Sequence, residues 1–195
     1  MLTAGRSVVF TVLDALSGQP ISGAEVVGPS AFDDWTRGSG RREKPQPATG
    51  ADGKLTLSML DEGLTAVWVH SGARQHLTQQ VSVPAGQREL TVRLEKGARV
   101  FGTVVDSAGK PVADGEVEAR PLGLSPADPA AMGRGGFGQV KPDGTFDVQG
   151  LHQGRYQVSV TERSLEGSAN RQSQTVELAA QNEARLDFKL TGGST

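Results

Sequence analysis

Along much of this chain the apolar residues recur at every second position. Val8, Phe10 and Val12 alternate with Val9, Thr11 and Leu13, and Leu55, Leu57 and Met59 alternate with Thr56 and Ser58. Leu90, Val92 and Leu94 do the same around Thr91 and Arg93, as do Phe146/Val148 and Leu186/Phe188/Leu190 later. Successive strand side chains point to opposite faces, so a period of two predicts strands with one face in a core and the other in water. Turn signals separate them. Asp-Gly at 52–53 and 143–144 predicts tight hairpins, because glycine accepts positive φ without steric cost, and makes these residues turn formers rather than ligands. Gly-x-Pro at 18–20 and 109–111 turns the chain after a first strand.

The pattern occurs twice, in the same order. Val12-Leu13-Asp14 answers Val104-Val105-Asp106, and Gly18-Gln19-Pro20-Ile21 answers Gly109-Lys110-Pro111-Val112. Ala24-Glu25-Val26 answers Gly115-Glu116-Val117; Leu60 answers Leu151, Gly63 answers Gly154, and Val67/Val69 answer Val158/Val160. A period of roughly ninety residues is too long for a solenoid, so each copy should hold its own core. The expectation is an all-β protein of two tandem seven-stranded antiparallel β-sandwiches, residues 1–97 and 98–195. Only about five residues separate Leu94 from Val100, which predicts a semi-rigid, elongated pair.

Each copy resembles the carboxypeptidase regulatory-like domain, a transthyretin-like sandwich with Ig-like architecture. "GTVVDSAGKPV", "GEVEA", "PDGTF" and "LHQGRY" of the second copy carry the resemblance. The first copy departs from it at Phe10, where the family has glycine, and at Thr65, where Tyr156 stands in the second. The resemblance implies spacers, folding aids and adhesion modules attached to proteases, envelope receptors and surface proteins, not catalysts.

Charge and composition narrow the function by exclusion. Net charge is −2 with 20 basic and 22 acidic residues, and no block of one sign occurs, so neither nucleic acid nor an anionic membrane surface is an expected partner. No window approaches the roughly 20 apolar residues of a membrane span. The absence of cysteine removes disulfides, thiolate metal sites and a cysteine nucleophile together. "MLTAGRSVVFTVL" is too short and too strand-like for a signal peptide. Either the protein is cytosolic or the sequence is a segment of a longer exported bacterial surface or envelope protein, extracellular or periplasmic, whose signal sequence lies outside it; the linker-like end "TGGST" favours the second.

Candidate chemistry is sparse. His70 and His76 should flank one turn, but a third ligand at metal-binding spacing is missing, and His152 stands where the other copy has Asp61; no metal or cofactor is expected. Asp33-Asp34 lacks the alternating acidic spacing of a calcium loop. "MGRGGFG" (132–138) contains glycines at phosphate-loop spacing, yet nothing after it looks helical, so it reads as flexible loop before a strand at Gln139. Two features point outward. Alternation puts Trp68 on the face opposite Val67 and Val69, either covered by a loop or displayed for contact. Long segments follow the second strand of each copy, Pro29–Pro47 and Pro121–Gly138, and the first carries Trp35, Arg37 and Arg41. Trp35, Arg37, Arg41 and Trp68 are the candidate contacts for a protein partner, a neighbouring domain or a glycan.

Overall fold

In the computed structural model, which describes residues 5–28, 47–60, 63, 65–124, 133–162 and 170–190, every regular element is a β-strand. The chain divides into two compact units, Met1–Lys96 and Gly97–Thr195. The first holds β1 (Arg6–Asp14), β2 (Ala24–Val27), β3 (Lys54–Leu60), β4 (Thr65–Ser71), β5 (Gln79–Val83) and β6 (Glu89–Leu94). Its sheets run β3-β1-β6 and β2-β4-β5. The second holds β7 (Ala98–Val105), β8 (Gly115–Pro121), β9 (Gly136–Val140), β10 (Thr145–Leu151), β11 (Gly154–Glu162), β12 (Arg171–Leu178), β13 (Glu183–Arg185) and β14 (Phe188–Lys189). Its sheets run β10-β7-β13, with β14 also on β7, and β12-β11-β8-β9.

The period of two is realised in burial. Val8, Phe10 and Val12 of β1 face Val26, Val67 and Val69 of the opposite sheet in one buried cluster. Val100, Val104, Val117, Val158, Val160, Phe146 and Phe188 form its counterpart in the second unit. Removing each such side chain from water contributes roughly 1.5–3 kcal/mol, so two separate cores form from one pattern.

Strand number and direction depart from the expectation of seven antiparallel strands. Six strands are described in the first unit and eight in the second. Among the described residues, the counterpart of β9 in the first unit shows one bridge, Glu25↔Ala48, fixed by the Thr49 hydroxyl, which accepts from Ala24 N (2.9 Å) and donates to Ile21 O (2.6 Å). The last strand of the second unit is split in two around Leu186-Asp187. Nor is either unit wholly antiparallel. The closing strand lies parallel to the opening one, β6 along β1 and β13 and β14 along β7. A chain that reverses at every step brings its first and seventh strands side by side in the same direction, and the sheet closes on that pair.

Candidate interaction surface and the titratable groups

The carboxylate that ends each opening strand holds the turn behind it. Asp14 Oδ1 accepts from Leu16 N (3.1 Å), Ser17 N (2.7 Å) and Ser17 Oγ (2.8 Å). Its equivalent, Asp106, accepts from Ala108 N (2.9 Å) and Lys110 N (2.8 Å). Short acceptor side chains close turns in this way, which explains an aspartate at both places. Asp14 has a further bond, from Oδ2 to His76 Nε2 at 3.0 Å. The Ser17 amide first, then His76 and the Ser17 hydroxyl, hold the Asp14 carboxyl far below the usual carboxylate range.

That lowering has a direction in pH. A carboxyl more acidic folded than unfolded stabilises the fold above its ordinary value near 3.8, and the contribution is lost as pH falls towards the folded value. Asp14→Asn is expected to cost the first unit about 1–2 kcal/mol at pH 7, with the gap narrowing steadily as pH falls below about 4. Urea midpoints of both proteins at several pH values test this; a constant gap between them would show that the charge of Asp14 is not what stabilises the turn.

The other perturbed groups are also bound to neighbours. Arg99 donates through Nε and Nη2 to both oxygens of Asp147 (2.9 Å each) and through Nη1 to Glu183 (3.1 Å), with its guanidinium 4.8 Å above the Phe101 ring. These bonds hold Arg99 firmly charged; burial opposes ionisation of Asp147, but Arg99 and Gln149 outweigh it and lower its pKa. Asp187 caps Thr103 through its amide (3.0 Å) and hydroxyl (2.8 Å). The Tyr156 hydroxyl donates to Arg134 O at 3.1 Å, and burial pushes its pKa up to about 12. His70 Nε2 stands 3.4 Å from Glu25, its cross-strand neighbour, whereas His76 turns to Asp14, so the two histidines serve different carboxylates. Among the described residues no three His, Asp or Glu side chains gather as metal ligands.

Trp35, Arg37 and Arg41 lie outside the described residues. Trp68 is described, and its placement corrects the reading of it as a surface contact. It pairs with Val27 across β2 and β4 on the face away from the main core, and only 7% of it is exposed. Val67 to Ser71 are all buried, so both faces of this part of β4 are covered. Alternation assigned Trp68 to the outer face but carried no information on what lies over it.

Among the described residues the aromatic side chain most open to solvent is Phe137, 53% exposed on β9 opposite Glu118. Of the loop expected over 132–138, Met132 lies outside the described residues, Gly133-Arg134 form a turn, and strand β9 runs from Gly136. Its glycines answer crowding. A Cβ on Gly136 would lie 2.6 Å from Val148 Cγ1, and one on Gly138 would lie 2.9 Å from Asp147 O. Phe137 is thus held by a rigid strand and turned away from the core. Across the sheet from it run Glu118, Ser159 and Ser173, the two serine hydroxyls 2.8 Å apart, while Glu118 pairs with Arg120 (2.9 Å) and Arg171 (3.4 Å). Polar and charged side chains thus lie across the sheet from the Phe137 ring, which sits on the edge strand, while Ser159 among them is buried.

No protein-family model matches this chain, and no curated protein matches it either. Solved structures do match it. A minor pilin of Streptococcus agalactiae is 15% identical, with 97% of each chain covered and a TM-score of 0.38. A variant of the shaft pilin SpaA of Lactobacillus rhamnosus GG is 11% identical over 99% of each chain, with a TM-score of 0.40. The Bacillus anthracis TIE protein is 15% identical with a TM-score of 0.38; 96% of this chain is covered, but this chain spans only 34% of that one.

Proposed function

We propose that this chain is a non-catalytic structural and interaction module, a tandem β-sandwich spacer or adhesion segment of an exported bacterial surface or envelope protein. One observation carries the reading: the described groups with the most perturbed protonation (Asp14, Arg99 with Asp147, and Tyr156) are bound to turns, strand neighbours or backbone rather than aimed at a common point. Catalysis requires such groups to converge on a reacting atom. The motifs shared with carboxypeptidase regulatory-like domains support the same view. Its partners would be another protein or neighbouring domains of the same polypeptide, met first through Trp35, Arg37 and Arg41.

A second reading, binding of a glycan or an extended peptide, is favoured by Phe137. A half-exposed ring beside paired Glu118 and Arg120 offers an apolar face and polar donors together, as shallow ligand platforms do. A glycan array and a peptide panel with the intact chain decide between the two. The structural reading expects no defined ligand on this face. A ligand held with micromolar Kd, and weakened about tenfold or more by Phe137→Ala, would establish the second reading instead.

A further inference from the structure

The two units fill equivalent core layers with the large and small residues exchanged. In the first unit Phe10 of β1 stands opposite Leu55 of β3; in the second, the same two positions are Gly102 of β7 and Phe146 of β10. The phenylalanine has moved one strand over. The space is not merely left open. A Cβ on Gly102 would lie 1.8 Å from Leu186 O and 3.2 Å from the Phe146 ring. Leu186 is the equivalent of Leu90, which pairs with Phe10 inside the continuous strand β6. In the second unit the strand breaks at that residue and its carbonyl moves in over the glycine.

A second layer is exchanged in the same sense. Arg6 of β1, opposite Leu60, is 1% exposed; its equivalent, Ala98 opposite Leu151, is also 1% exposed. In the facing sheets the equivalent positions are Thr65 and Tyr156. Long over short in the first unit becomes short over long in the second. Arg6 reaches the carbonyls of Gly63 (2.9 Å), Val83 (3.1 Å) and Pro84, whereas Tyr156 reaches Arg134 O.

We propose that these two exchanged layers keep the opening strand of each unit out of the other unit while the tandem chain folds. β1 and β7 share their alternation, their closing Val-x-Asp and their partner turns, and adjacent repeats of like pattern misfold by exchanging elements. With β1 in the place of β7, Phe10 would meet both Phe146 and the Leu186 carbonyl, and Arg6 would enter the layer filled by Tyr156. With β7 in the place of β1, Gly102 against Leu55 leaves a void. Ala98 then leaves the Gly63, Val83 and Pro84 carbonyls without their donor. Overpacking in one direction and a cavity with unpaired acceptors in the other both disfavour the exchange, while in each native unit the space is filled, by Leu55 beside Phe10 and by the Leu186 carbonyl over Gly102.

The test uses the full chain with Phe10→Gly, Leu55→Phe and the double variant, which gives the first unit the arrangement of the second. Each single change should lower the urea midpoint of the first unit, and the double should recover part of the loss. The cysteine-free chain accepts a dye pair, one dye in each unit, so single-molecule energy transfer can count long-lived misfolded chains after dilution from urea. The double variant should raise that misfolded fraction about threefold or more over the parent. Arg6→Ala with Thr65→Tyr provides an independent second pair with the same readouts. Doubles that are no better than the sum of their singles, or that fail to fold, overturn the compensation. Doubles that recover stability without raising the misfolded fraction overturn the protection against exchange.

Discussion

Gly53→Ala and Gly144→Ala are each expected to destabilise their own unit by about 2–4 kcal/mol, whereas Gly18→Ala and Gly109→Ala should lose only about 1 kcal/mol. All four glycines share a left-handed backbone, with φ of +72°, +80°, +69° and +83° respectively. Conformational strain is therefore nearly the same in the four variants. Crowding is not. A Cβ on Gly53 would lie 2.7 Å from Val12 O and 2.9 Å from Pro20 Cβ, and one on Gly144 would lie 2.8 Å from Val104 O and 2.9 Å from Pro111 Cβ. Around Gly18 and Gly109 there is nothing within 4 Å.

The approach is close because each hairpin glycine is bonded to the opening strand. Gly53 O accepts from Val12 N and Gly144 O from Val104 N, both at 2.8 Å. The added methyl cannot be relieved without breaking that bond or moving the proline turn. Both tryptophans belong to the first unit and the one tyrosine to the second, so tryptophan emission and tyrosine signals follow the two unfolding transitions separately. At about 4–8 °C per kcal/mol for a domain of this size, the crowded variants should fall clearly further in Tm than the open ones. Equal losses at all four sites would show that backbone strain alone explains the glycines.

Much of this fold was legible because it is local. Alternation placed Val8, Phe10, Val12, Phe146 and Val148 inward, and Asp-Gly placed both hairpins, since each signal is written within a few residues of the structure it specifies. The rest depends on what distant segments supply. Parallel closure of β6 on β1 leaves no trace in periodicity, because a strand reads the same in either direction. β9 reads as a loop because glycine is a poor strand former, and only the approach of β10 explains why glycine is needed there. The candidate contacts fared likewise: the outward direction of Trp68 follows from parity, but its cover does not, and Phe137 was hidden inside a segment read as flexible. Phe10 and Thr65, the two departures from the family pattern, were visible in the sequence. That they mark two exchanged core layers needed the strand register.

Arg6→Ala should be the most damaging single truncation in the first unit, at about 3–5 kcal/mol. Arginine is seldom buried, and alternation alone gives no reason to expect one among Val8, Phe10 and Val12. Yet Arg6 is 1% exposed, with its guanidinium donating to the carbonyls of Gly63, Val83 and Pro84. Truncation leaves a cavity the length of the side chain and removes the donor from three carbonyls at once. Arg6→Met separates the two effects, because it restores most of the volume and none of the bonds. Burying the charge carries its own desolvation cost, so a hydrophobic replacement recovers that cost as well. Three charge-assisted bonds outweigh it here, and Arg6→Met should remain about 1–2 kcal/mol less stable than the parent. Urea denaturation followed by tryptophan emission measures both variants. If Arg6→Met matches the parent, desolvation cancels the bonds and Arg6 acts by filling space alone. If Arg6→Ala also matches it, the side chain holds nothing together, and the pairing of Arg6 with Thr65 against Ala98 with Tyr156 loses its physical basis.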